Sequence, residues 1–94
     1  VIDTDLAGLR EHLYQVSLGK MPSEPVDAIV TVSQKLWPDI PIDDAAAYAI
    51  ALAELRQDLA TAEDNRHIHA ATGLKRKIDL FEDLLLSCLE HMSI

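Results

Sequence analysis

The chain has a single cysteine, Cys88, among 94 residues. That excludes an intrachain disulfide and a cysteine-rich zinc module. Aromatic residues make up only 4%, so Leu, Ile, Val and Ala must fill any core. The three glycines, Gly8, Gly19 and Gly73, are too scattered for a phosphate-binding loop. Lys and Arg number 8 against 16 Asp and Glu, for a net charge of −8. Nonspecific nucleic-acid binding relies on Lys and Arg neutralising phosphates. A chain this acidic therefore argues against DNA, RNA and anionic membranes as partners. The only apolar run of note, Leu84 to Leu86, is far too short to cross a bilayer. No segment reads as a secretory signal, and a cytoplasmic location is expected. The chain begins at Val1 rather than methionine. That fits an excised domain or a trimmed product, so an activity could sit in another part.

Hydrophobic residues form 49% of the chain, too many for a disordered tail. Their spacing is helical. Leu6, Leu9, Leu13 and Val16 form one seam, and Tyr48, Leu52, Leu55 and Leu59 a second. Ile78, Phe81, Leu85, Cys88 and Met92 form a third. Alternating steps of three and four put each set on one narrow stripe. Such stripes pack against near-parallel or antiparallel helices, at about 20°. A single all-α domain is expected over 1–94, an antiparallel four-helix bundle with helices near 5–18, 24–36, 44–63 and 67–91.

Asp3 or Thr4 is expected to cap the first helix and Gly19 to end it. Ser23 or Glu24 should cap the second, with Pro25 in its first turn. Val26, Ile29, Val30, Ser33, Leu36 and Trp37 share its face. Trp37 to Pro41 reads as a stiff extended linker, because Pro38 pushes its predecessor out of the helical region. Asp43 should cap the third helix, whose alanines Ala49, Ala53 and Ala60 invite close approach by a neighbour. The boundary before the fourth helix is open to three readings. The stripe loses phase near Asp64-Asn65, which favours a hairpin there. A continuous helix over 44–91 would be about 70 Å long, and Thr72-Gly73 is the third place for a break.

Few residues suggest chemistry. His67 and His69 would point about 200° apart on a helix and could share a metal only in an irregular turn, with Glu63 and Asp64 nearby. Cys88 and His91, three apart, form an incomplete ligand pair that His12 would join if the first and last helices meet. Cys88 also continues an apolar seam, the usual place of a free cysteine. No metal or other cofactor is expected, and no catalytic residue: neither a Ser-His-Asp nor a Cys-His-Asn pattern occurs. The run His69-Ala70-Ala71-Thr72-Gly73 resembles the phosphotransfer histidine domains of bacterial signalling. These are helical bundles with an exposed histidine, a lysine three residues on and a glycine four residues on. Gly73 matches the glycine, and Thr72 stands where the lysine should be. The resemblance implies phosphoryl acceptance at His69.

The charge is segregated. Residues 66–77 hold Arg66, Lys75, Arg76 and Lys77 and no acid, whereas 78–94 hold Asp79, Glu82, Asp83 and Glu90 and no Lys or Arg. Lys75 and Arg76 are placed to pair with Asp79 along the helix. The last helix also carries large apolar groups over about half its circumference, more than one seam requires. It must be central in the bundle or face another chain. The expected role is a self-associating or adaptor module, a homodimer or a binder of another protein, without catalytic activity. Leu80, Leu84, Leu86, Leu89 and Met92 are the expected interface. Trp37 and the basic 66–77 segment form a second surface, although Trp37 at a helix end is better placed to cover the core. The alternatives are histidine phosphotransfer at His69 and an acidic regulator occupying a basic partner's groove.

Overall fold

The computed structural model describes residues 6–22 and 26–92. Its helices are α1 (Leu6–Ser17), α2 (Val26–Leu36), α3 (Ile42–Asp64) and α4 (Ile68–His91). The described residues contain no strand, and the protein is an all-α helical bundle. The expected caps at Asp3 or Thr4 and at Ser23 or Glu24, with Pro25, lie outside the described residues.

The α1 seam is buried along its whole length, Leu6, Leu9, Leu13 and Val16 all lying in the core. The helix stops at Gly19, whose φ of +75° is the left-handed conformation that glycine tolerates best. The Gly19 N–H donates to the Val16 carbonyl at 2.9 Å and the Lys20 N–H to the Gln15 carbonyl at 3.0 Å. These are the two bonds of a Schellman motif. In α2, Val26, Val30 and Ser33 are buried, but Leu36 is exposed. Leu36 lies well round the helix from the Val26–Val30 line, and Trp37, half-buried against the core, closes that end instead.

The Trp37–Pro41 linker is not extended. The Ile40 N–H donates to the Trp37 carbonyl at 3.2 Å, making a turn in which Pro38 takes the position proline favours. The third helix then begins at Ile42 rather than Asp44. Pro41 is its N-cap residue and no side chain caps it. Asp43 therefore sits in the first turn beside Asp44, where both complement the helix dipole.

The break between α3 and α4 falls at Asn65-Arg66-His67, so the hairpin reading holds. The Arg66 N–H donates to the Glu63 carbonyl at 3.1 Å and the His67 N–H to the Ala62 carbonyl at 2.8 Å. This repeats the motif at Gly19, with Arg66 in the left-handed position at φ 58°.

The long α3 is the hub, because it packs against each of the other helices. Its alanines make this possible: Ala45, Ala46 and Ala49 are buried beside Leu52. Ala53 is half-buried and Ala60 is exposed. At 1.5 Å per residue α3 and α4 are each about 35 Å long, against about 17 Å for α1 and α2. The α3–α4 hairpin therefore overhangs the shorter pair, and the molecule measures 45 × 24 × 15 Å.

Candidate functional site

Arg56 gives the hairpin a near and a far side. Its Nη2 donates to Glu82 Oε2 at 2.6 Å, and its Nη1 to the Ser17 carbonyl at 3.4 Å. The end of α1 and the Glu82 edge of α4 thus lie on the same side. Leu80, Phe81, Leu84 and Cys88 lie about 100–160° round α4 from Glu82. Tyr48, Ala51 and Leu55 lie about 80–140° round α3 from Arg56. The Tyr48 and Phe81 rings meet across the seam, with centroids 5.8 Å apart and planes tilted by 44°. Asp44 comes near enough to Cys88 to act on its thiol. These residues therefore form one face, turned away from α1.

The face is apolar and uncovered. Leu80 is 58% exposed. Tyr48, Ala51, Leu55, Phe81, Leu84 and Cys88 are half-buried. In place of a central α4, the bundle has a central α3: α2 packs on α1 and α3, and the main neighbour of α4 is α3. The apolar excess on α4 is thus left partly open.

Of the expected interface residues, Leu80 and Leu84 belong to this face. Leu89 and Met92 do not. They are 6% and 1% exposed and fill the core with α1 and α3, because their positions on α4 continue the Ile78–Leu85 seam. Leu86 is 42% exposed, but it lies about 160° round the helix from Leu84 and forms no common patch with it. Reasoning from α4 alone missed the share of α3, namely Tyr48, Ala51 and Leu55. Tyr48 and Leu55 were visible as part of a core seam and Ala51 was not, and only the pairing of the hairpin shows that one edge of that seam is open.

The titratable groups do not converge. His67 and His69 are exposed, as is His91. No group of three His, Cys, Asp or Glu able to hold a metal occurs among the described residues. His12 is half-buried, and its Nε2 is buried without a hydrogen-bond partner. Cys88 is a free thiol. Burial, and then the Asp44 carboxylate, push its pKa up, so the thiol is held in its less nucleophilic, protonated form. Thr72 donates its hydroxyl to the Ile68 carbonyl at 3.0 Å. Gly73 is exposed, and a Cβ there would meet nothing within 4 Å.

The expected ion pairs of Lys75 and Arg76 with Asp79 are not formed. Among the described residues Lys75, Arg76, Lys77, Asp79 and Asp83 make no ion pair within the chain. All five point to solvent, where ordering two long side chains costs more than a screened attraction returns.

Open grooves occur among the described residues. One of about 570 Å³ lies where α1 ends against α3, lined by Leu18, Ile50, Glu54 and Arg56 among others. One of about 360 Å³ lies at the hairpin tip, between Glu63, Arg66, Ile68 and Lys75. One of about 390 Å³ follows the α2–α3 turn past Asp43 and Asp44. None is lined by a His, Ser or Cys among the described residues. No helix among the described residues is long and apolar enough to cross a membrane.

Compared with protein-family models, curated proteins and solved structures, the chain finds no match.

Proposed function

We propose that this chain is a non-catalytic helical interaction module that self-associates through the open face of the α3–α4 hairpin. The observation that carries the reading is Leu80, 58% exposed at the outer edge of a half-buried apolar surface. Each exposed leucine forgoes about 1.5–3 kcal/mol of burial, so covering the face repays part of the cost of association. An adaptor role toward another protein would use the same surface. Sedimentation equilibrium at micromolar concentration is the test. The expected mass is about twice the 10.4 kDa of one chain. Leu80→Glu should return it to one chain without loss of helical circular dichroism, since Leu80 takes no part in the core. A wild-type monomer at every attainable concentration would sink the reading.

The second reading, phosphotransfer at His69, has one observation in its favour. His69 and Gly73 are both exposed, one turn apart on a single line of α4, and the space over Gly73 is open. Against it, Thr72 replaces the lysine of the resembling domains and spends its hydroxyl on the helix backbone. A small phosphodonor is expected to leave the protein unlabelled. Stoichiometric label that is lost in His69→Gln would reverse the ranking.

A further inference from the structure

The open face of α4 carries a stripe that the core does not use. Gly73, Lys77, Leu80, Leu84, Ser87 and His91 follow one another at steps of four, three, four, three and four. The repeat is that of a helix seam that packs against a second helix at a shallow angle. All six are exposed or half-buried. Its centre is leucine, and Gly73 and Ser87 to either side are small enough to let another backbone come close.

The charges beside this stripe are segregated along the helix. Within α4, residues 68–78 carry Lys75, Arg76 and Lys77 and no acid, and residues 79–91 carry Asp79, Glu82, Asp83 and Glu90 and no Lys or Arg. The helix dipole does not account for it. The first turn of α4 holds no acid, and Glu90 lies in the last turn, where a dipole disfavours negative charge. Pairing within the chain does not account for it either: of these residues only Glu82 has an ion-pair partner, Arg56, and that pair lies on the α1 side. Arg76, Asp83 and Glu90 recur at seven-residue intervals and so occupy one flank of the stripe. Across an antiparallel helix pair, residues of such a flank face the same flank of the other helix. In register through Leu80 and Leu84, Arg76 would then come level with Glu90 of the other copy, whereas in a parallel pair this flank faces the opposite flank of the other helix, which carries no acid.

We propose that two copies of this chain pair antiparallel along α4, Leu80 and Leu84 of each packing on those of the other, with Arg76 of each facing Glu90 of its partner. The proposal rests on self-association through the hairpin face and adds its direction and its electrostatic lock. The lock is exposed at the rim of the stripe, so it sets orientation and makes the affinity fall as salt is added.

Two measurements on the full chain test it, each with circular dichroism to show that the variants keep their helices. The first is charge exchange. Arg76→Glu alone, and Glu90→Lys alone, should each raise the dissociation constant about tenfold at low salt, and the two together should restore it. A parallel pair would not be restored, because positions 76 and 90 are then about 20 Å apart along the axis and do not compensate each other. The second is a distance. In a Cys88→Ala background, a spin label at His91→Cys should report about 30 Å or more between labels, since antiparallel helices carry that end in opposite directions at 1.5 Å per residue. A separation of about 10 Å, the spacing of adjacent helices, or failure of the double variant to recover, would overturn the antiparallel arrangement while leaving self-association standing. A wild-type chain that stays monomeric would overturn both.

Discussion

Arg56 ties three helices together: its guanidinium donates to Glu82 of α4 at 2.6 Å and to the carbonyl of Ser17, the last residue of α1, at 3.4 Å. The α1 helix ends level with the middle of α3, and Arg56 stands where the shorter layer stops and the overhang of the hairpin begins. The pair is partly exposed, at 27% for Arg56 and 46% for Glu82, which limits what it contributes. Arg56→Ala is expected to lower the unfolding free energy by about 1 kcal/mol or less. The loss should shrink in molar salt. Chemical denaturation at two salt concentrations measures both. An effect above about 3 kcal/mol would mean that Arg56 holds buried structure that this geometry does not contain.

The turn at Arg66 offers a gain in stability. A non-glycine residue in the left-handed region carries a cost of about 1–2 kcal/mol, and Arg66 makes no ion pair in return among the described residues. Glycine removes that cost but loses more freedom on folding. Arg66→Gly should therefore stabilise the chain by about 0.5–1 kcal/mol, read as a higher denaturation midpoint with unchanged denaturant dependence. A destabilised variant would show that the arginine side chain has a partner that outweighs the backbone.

Much of the fold was legible before the structure. The Leu6–Val16 seam, the stop at Gly19 and the phase break before the last helix all rest on local rules that nothing distant overrides. The errors came where one residue's conformation depended on its neighbours. Asp43 looks like a cap, but the helix already starts from Pro41, two residues earlier. Leu89 and Met92 look like spare apolar surface until the assembled core buries them. The candidate site was legible only in part. Leu80 and Leu84 are visible on a helical wheel, but Tyr48 and Leu55 read as core because a wheel does not show which side of a seam a third helix leaves open. The stripe through Gly73, Lys77 and Ser87 was missed because only two of its positions are apolar.

Cys88 supplies a dependence on pH. Burial and Asp44 raise its folded-state pKa, so the folded chain holds the thiol proton more tightly than the unfolded chain. The unfolded state therefore loses its proton first. This contribution to stability is fully present below the unfolded thiol pKa, and is lost as pH rises from there through the raised folded value. Denaturation midpoints should thus fall more steeply in this alkaline range for the wild type than for Cys88→Ala. Alkylation of the folded protein at neutral pH should also be slower than that of a free thiol. Equal slopes for the two proteins would show that the thiol environment is the same folded and unfolded.

Gly73 separates what α4 needs as a helix from what its open face does. Glycine inside a helix costs about 0.8–1 kcal/mol relative to alanine, and here nothing within the chain requires it: a Cβ would meet no atom within 4 Å, and φ is not positive. In isolation, Gly73→Ala should therefore raise the stability of the monomer by about 1 kcal/mol, measured by denaturation of the Leu80→Glu background so that association does not contribute. On the open face the same methyl group stands in the stripe where a second helix would approach. In the chain with Leu80 intact, Gly73→Leu should keep the gain in helix content while weakening self-association. A larger helical signal together with a higher dissociation constant is the expected combination. If Gly73→Leu associated as tightly as the wild type, no second backbone would come close at that position, and the stripe through Gly73 would not be the packing surface.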